Sequence, residues 1–397
     1  MNKSHPYIIV GAGLAGLTCA KYLQEAELNY LLIDENKQVG GRVSSVNEQG
    51  CIFDIGFQVI LNSYPEFKNF IELKNLEMRY FNSGCMIYTP EKMQNLANPI
   101  LHPSHLLNET LSSFVDLKDK SNVISLILKS HFGFEKKPKT STLEFLKNYG
   151  FSDHFINMFW LPFFSGVMLD QELTVDSNYF LFLLKCFSAG SVGVPALGMQ
   201  QLPNEIFKKI NPEYLMLGRK VVELTPTSVK LDSGETIKAS GVAICRSPDE
   251  STSDYFSVEN LYFKTSEKLD WGKWLVIVPP KFGLSINNIA LMSEVSPEYV
   301  ENQNETLISV SILSDKYVSD EKVAEELRII SQKKLADLKY LKKFSIKKAL
   351  PKVFGTKNGF VNKNDISYFG DWAASPSING AIESGRKMAE HIILNQN

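Results

Sequence analysis

Three observations in this sequence predict an α/β fold in two interleaved parts. The apolar run Tyr7-Ile8-Ile9-Val10 leads directly into Gly11-Ala12-Gly13-Leu14-Ala15-Gly16, the order of a covered parallel strand followed by the glycine turn that opens a helix. A second apolar run, Tyr30-Leu31-Leu32-Ile33, ends at Asp34, 23 positions beyond Gly11, where a Rossmann-type unit places the acceptor for a dinucleotide's ribose hydroxyl. A chain of 397 residues with 44% hydrophobic content can bury more than one core, so a second domain is expected beside the nucleotide-binding one.

Each glycine of the first turn has its own task. Gly11 allows the tight turn, Gly13 lets backbone approach a pyrophosphate, and Gly16 lets the helix pack close to the sheet. Leu14, Leu17, Ala20 and Leu23 then recur at helical spacing, and the free N–H groups of that helix's first turn are expected to face phosphate. After Asp34 comes Val39-Gly40-Gly41-Arg42. Its glycines admit a ligand close to the backbone, and Arg42 is suited to grip phosphate oxygens; the competing reading is a surface turn with an exposed arginine. The stretch from Gly50 to Val59 reads as a short strand ending at another close-approach glycine, Gly56.

The order GAGLAG, a strand ending in an acid, VGGR and FDIG resembles the flavin-containing amine oxidoreductase superfamily, which includes monoamine and polyamine oxidases, protoporphyrinogen oxidases and carotenoid desaturases. The resemblance implies a glutathione-reductase-like, Rossmann-type FAD domain interleaved with an α+β substrate domain. It assigns Gly11, Gly13 and Gly16 to the pyrophosphate turn, Asp34 to the adenosine ribose (usually Glu in the family), and Gly41 with Arg42 to the GGR motif. Gly56 and Phe57 match the segment passing near the flavin ring, and Val221 matches a valine whose backbone holds the adenine. Near the C-terminus, Tyr368-Phe369-Gly370-Asp371 and Ser377-Ile378-Asn379-Gly380-Ala381-Ile382-Glu383-Ser384-Gly385 resemble the family's GD…NGAxxSG motif. There Gly370 and Asp371 match the positions near the ribityl and pyrophosphate groups, while Ile378, Asn379, Gly380 and Ala381 match those facing the flavin. Residues 1–65, 200–250 and 346–397 are then expected to form the FAD domain, and 66–199 with 251–345 the substrate domain.

Between these motifs the reading is coarser. Leu106, Leu107 and Leu111, and the run Val123 to Leu128, suggest helices, with Pro90, Pro99 and Pro103 as breaks. Lys136-Lys137-Pro138-Lys139 reads as a solvated loop, with contact to an anionic membrane surface as the alternative; a helix over Leu143 to Asn148 follows, capped by Ser141 or Thr142. Phe155, Phe159, Trp160, Phe163, Phe164, Tyr179, Phe180, Phe182 and Phe187 predict a helical core that also walls an apolar cavity. An amphipathic helix is expected around Ile206, Phe207 and Ile210, then alternating strands at 221–224, 228–231 and 235–237 with a turn at Asp232-Ser233-Gly234. Strands around 260–263 and 306–311 and a helix from Glu321 to Leu335 complete the second domain. Lys273, Lys281 and Arg328 read as solvated side chains.

The formal charge of -2 offers no broad basic surface, which argues against nucleic acid as a partner. Five scattered cysteines and six histidines show no metal-ligand spacing, so no metal is expected and the thiols read as buried in a reducing compartment. With no secretory pattern at the first residues, a cytoplasmic location is expected, with peripheral membrane contact as an extension of it. The resemblance implies FAD, held non-covalently because no cysteine lies near the C-terminal motif. It also implies removal of hydride from a small substrate, either apolar (polyprenyl or porphyrinogen-like, as the aromatic segment favours) or an amine, with oxygen or a quinone-type acceptor taking the electrons. A flavin-dependent isomerase and a redox-inactive FAD-binding structural or chaperone-like protein are the alternatives. Many amine oxidases of the family place a lysine beside flavin N5; no lysine is assigned to that role here, and the sequence names no catalytic side chain.

Overall fold

A computed structural model describes residues 5–67, 73–97, 115–133, 140–249, 251, 254–313, 317–352 and 359–396. The leucines at 106, 107 and 111, the prolines at 99 and 103 and the 136–139 basic cluster lie outside them. β1 (Tyr7–Val10) is central in a six-stranded sheet, flanked by β2 (Tyr30–Asp34) and by Gly241–Ile244. Leu215–Leu217 lies beyond β2 and Ile366–Phe369 beyond Gly241–Ile244, all parallel, and Phe360–Lys363 closes the far edge antiparallel. Ile8 and Ile9 are fully buried, as a strand covered on both faces requires. The turn after β1 starts α1 (Leu14–Glu25), which packs against the C-terminal helix Ile378–Gln396.

The second sheet has seven strands in the order Lys339–Pro351, Tyr255–Thr265, Thr306–Ile312, Asn288–Leu291, Leu275–Ile277, Gly84–Ile87 and Gln94–Ala97. Its neighbours are antiparallel except the pair Leu275–Ile277 and Gly84–Ile87. The helix expected to end at Leu335 spans Asp320–Ser331: Ser319 accepts from the Lys322 N–H at its start, and Gln332, in the left-handed region at φ 54°, ends it. Its Val323, Leu327 and Ile330 pack on Ile308, Val310 and Ile312. Strand Lys339–Pro351 runs through the expected boundary at 345/346. Similarly, the helix expected around Ile210 stops at Phe207.

A helical layer covers one side of this sheet: Leu117–Phe132, Thr142–Tyr149, the run from Asp153 to Met168, and Ser177–Ala189. Ser141 caps Thr142–Tyr149 by accepting from the Glu144 N–H, and Gly150 in the left-handed region stops it. The Asp153–Met168 run widens to a π turn over Ile156–Trp160, which leaves Phe159 5.5 Å from Phe163 and Trp160 5.8 Å from Phe164 between ring centres. Phe164 meets Phe180 edge to face at 4.6 Å, tying the layer together.

A buried acid ties the small antiparallel sheet of Ser45–Glu48 and Cys51–Asp54 to the seven-stranded one. Asp54, 1% exposed, accepts from Ser45 Oγ (2.6 Å) and the Met199 N–H (2.8 Å) on Oδ1 and from Tyr299 OH (2.7 Å) on Oδ2. Its backbone carbonyl takes the hydroxyl of Tyr262, from the second sheet, at 3.0 Å. Burial pushes the Asp54 carboxyl above the ordinary range, and the hydrogen bonds from Ser45, Met199 and Tyr299 work against that rise.

Candidate functional site

The carboxyl ends of β1 and β2 open into a cavity of about 620 Å³ that continues between the second sheet and the helical layer. Gly11, Gly13, Asp34, Gly41, Arg42, Gly56, Phe57, Gly370, Asp371, Ile378 and Ala381 line it, so motifs more than 300 residues apart share one space. Gly16, Val221, Asn379 and Gly380 stand outside it, each with a packing role. A Cβ on Gly16 would fall 1.8 Å from the Gly11 carbonyl, and one on Gly380 1.9 Å from that of Ser375. Asn379 Oδ1 accepts from the Glu66 N–H at 3.1 Å. Val221 pairs with Leu231 in the small antiparallel sheet of Val221–Thr225, Ser228–Leu231 and Thr236–Lys238.

At its nucleotide end the cavity is a cradle of backbone. Gly11, at φ 109°, needs glycine for the turn itself. Gly13 does not: its backbone is extended, and an added Cβ would meet nothing nearer than the Gly40 carbonyl at 3.8 Å. It precedes α1 as an N-cap with no side-chain acceptor, and the first turn of α1 has no acidic residue. The helix therefore presents uncapped N–H donors beside lining residues Leu14 and Ala15. Asp34 Oδ2 accepts from the Ala12 N–H (2.6 Å) and Oδ1 from the Asn36 backbone (2.7 Å) and side-chain (2.9 Å) N–H groups. That fixes the carboxylate at the end of β2 with acceptor capacity left over.

Arg42 Nη2 donates to Asp371 Oδ1 at 2.6 Å and Nη1 to the Ala349 carbonyl at 3.0 Å. The reason lies at the other end of the pair: Asp371 is 5% exposed and among the described residues its carboxylate takes just the Trp372 N–H besides (3.1 Å), so it needs a counter-charge. The pair ties the two ends of the chain across the cavity. Gln58 Nε2 donates to the Arg42 carbonyl (2.7 Å), while its buried Oε1 has no partner among the described residues.

The other end is an aromatic chamber lined by Tyr64, Phe155, Phe159, Trp160, Phe163 and Phe187. Tyr179, on Ser177–Ala189, donates its hydroxyl to the Pro376 carbonyl beside the C-terminal motif, and burial holds its phenol well above the ordinary range. Phe57 and Phe81 meet edge to face where the two ends join, 6.0 Å apart. Cys245, which the sequence left among the scattered thiols, also lines the cavity; its Sγ donates to the Gly11 carbonyl at 3.3 Å, and burial holds the thiol well above its usual value. Gln58, in the segment that the resemblance runs past the flavin ring, also lines it, and Trp372 is a further lining residue that no local motif marks. Among the described residues no cluster of His, Cys, Asp and Glu could hold a metal ion, and no helix is long and apolar enough to cross a membrane.

Comparison with known proteins gives this geometry a family. A family model described as flavin containing amine oxidoreductase matches residues 14–333. An L-amino-acid oxidase from Siganus canaliculatus is 31% identical over 112 residues, 25% of this chain and 21% of that protein. A 15-cis-phytoene desaturase from Synechococcus elongatus is 34% identical over 82 residues, 20% of this chain and 17% of that protein. The chain thus matches about a fifth of the length of these curated relatives. Among solved structures, an oxidoreductase from Methanosarcina mazei superimposes with TM-score 0.75 at 16% identity, covering 97% of this chain and 100% of its own. Cyclohexylamine oxidase from Brevibacterium oxydans gives TM-score 0.73 at 15% identity, covering 99% of each. At such identities the likeness is one of fold.

Proposed function

The chain belongs to the flavin containing amine oxidoreductase family, and from that membership we propose that it is an FAD-dependent oxidoreductase removing hydride from a largely apolar substrate. The observation that carries this reading is the single cavity running from the glycine cradle to the aromatic chamber. The residues present fit the cofactor: a backbone cradle left open at Gly13, uncapped α1 donors for the pyrophosphate and Asp34 for the ribose. When bound, FAD supplies the two-electron acceptor.

The chain's own contribution is to bind, orient and exclude water. Substrate loses a hydride and a proton and gains a double bond, and the electron pair passes on to oxygen or a quinone-type acceptor. The aromatic chamber holds the reacting carbon in a dry setting, where loss of hydride needs no side-chain nucleophile. Attachment of FAD is non-covalent in this reading: among the described lining residues the cysteine is Cys245, held against Gly11 at the nucleotide end. The division into an FAD part and a substrate part follows the two sheets, with the last crossing after Pro351, where strand Lys339–Pro351 ends.

The purified yellow protein tests this reading. Denaturation should release all the flavin, and anaerobic titration with apolar hydride donors and with amines should bleach the visible flavin absorbance for one class. Protein that takes up no FAD would refute the proposal, whereas FAD reduced by dithionite and by no donor class would favour the redox-inactive alternative.

A further inference from the structure

Among the described residues the lining of the cavity contains four charged side chains: Asp34, Arg42, Lys120 and Asp371. Three stand at the nucleotide end and are engaged there, Asp34 with the Ala12 and Asn36 N–H groups and Arg42 with Asp371. Lys120 is different. It lies one turn into helix Leu117–Phe132, and with Val123 and Ile127, three and seven positions on, it forms the face that lines the chamber. It is partly buried, and its ammonium has no ion pair or hydrogen bond among the described residues. The neighbouring acid, Asp119, is turned away and committed to the Ser152 N–H and hydroxyl.

Among the described residues the apolar chamber sets this unpaired ammonium against no free carboxylate. An ammonium-bearing substrate would find no counter-charge there and would be repelled by Lys120, whereas an anionic oxygen would complete its donors. We propose that Lys120 is a specificity-determining residue that anchors a carboxylate on an otherwise apolar substrate. The inference rests on the oxidoreductase reading above and narrows its substrate class from apolar or amine to apolar acid.

Binding to the FAD-loaded protein tests it, using naphthylacetic acid, naphthylethanol and naphthylethylamine, one ring system with three head groups. Affinity is read from the shift of the bound flavin's visible spectrum and from tryptophan fluorescence. The acid should bind the wild type about tenfold or more tightly than the alcohol, with the amine weakest. Lys120→Met should erase the acid's advantage, Lys120→Arg should keep it, and Lys120→Glu should transfer it to the amine; unchanged melting temperature and FAD content show that each variant is folded. Equal affinities, a preference for the amine, no detectable binding of the acid, or an acid preference that survives in Lys120→Met would each overturn the assignment. Failure of the protein to take up FAD would instead refute the oxidoreductase reading, so the two failures are distinguishable.

Discussion

The two ends of the cavity are built on opposite principles. The nucleotide end is made of backbone and satisfied charge: glycines, a helix terminus, Asp34 held by N–H groups and Asp371 paired with Arg42. The chamber is made of side chains brought from separate helices and strands, apolar and aromatic, with Lys120 unpaired among the described residues. The difference teaches where each kind of specificity resides. A phosphate is recognised by conformation, which a short motif fixes locally; the rest of a ligand is recognised by surface, which only the assembled fold provides.

The sharpest way to break the comparison is to make one change at two glycines of the same turn. In Gly16→Ala the new Cβ would stand 1.8 Å from the Gly11 carbonyl and 3.0 Å from Cys245 Sγ, so α1 must lift from the turn. Overpacking of that kind costs about 3 kcal/mol, and the apparent melting temperature of the apoprotein should fall steeply. Gly13→Ala places its methyl in open space, 3.8 Å from the Gly40 carbonyl, and should leave apoprotein melting unchanged. Its FAD affinity should fall by on the order of 100-fold, about 3 kcal/mol. If both variants lose stability alike, Gly13 serves the fold and not a ligand.

A second test bears on the acid that ties strand Cys51–Asp54 to the second sheet. Folding raises the Asp54 pKa, chiefly by burial, so the folded chain holds that proton more tightly than the unfolded one. The corresponding stability is fully present below the unfolded value, roughly pH 4, and is lost as pH rises through the folded value. Asp54→Asn cannot titrate. Its Oδ1 can still accept from Ser45 and Met199, with Nδ2 donating to the Tyr299 oxygen in place of the present bond. Melting curves from pH 4 upward should show wild type losing ground to Asp54→Asn as pH rises. A difference independent of pH would mean that the three hydrogen bonds offset the burial completely.

The same contrast decides what was legible in the sequence. The parallel strands, the Gly11 turn and the Gly13 opening follow from short segments whose conformations are set within a few residues, and so does the Ser141 cap. The approach of Gly370 and Asp371 to the turn was legible as a second motif. What Arg42 would do there was not: a guanidinium suited to phosphate reads identically to one needed by a buried carboxylate 329 residues away. Ile210 falls outside its expected helix because Gln201–Phe207 ends one turn earlier, an end that hydrophobic spacing does not encode. Lys120 carries no signal of its own among 42 basic residues. Its meaning arises only when the Val123 and Ile127 face is laid along the chamber.

The smallest expected effect concerns the Tyr179 hydroxyl, which links chamber helix Ser177–Ala189 to the C-terminal motif. Tyr179 donates to the Pro376 carbonyl, and Ser377, Ile378 and Ala381 line the cavity immediately beyond. Tyr179→Phe keeps the ring and removes the bond, which costs about 1 kcal/mol and should lower the melting temperature of the FAD-loaded protein by a few degrees. The size of the loss with and without FAD is the informative quantity. An equal loss makes the bond a strut of the fold, whereas a larger loss in the loaded protein means that the chamber helix helps to seat the segment on which the cofactor rests. In that case conformation at one end and surface at the other are coupled through a single phenol, and Tyr179→Phe should also loosen FAD by about threefold.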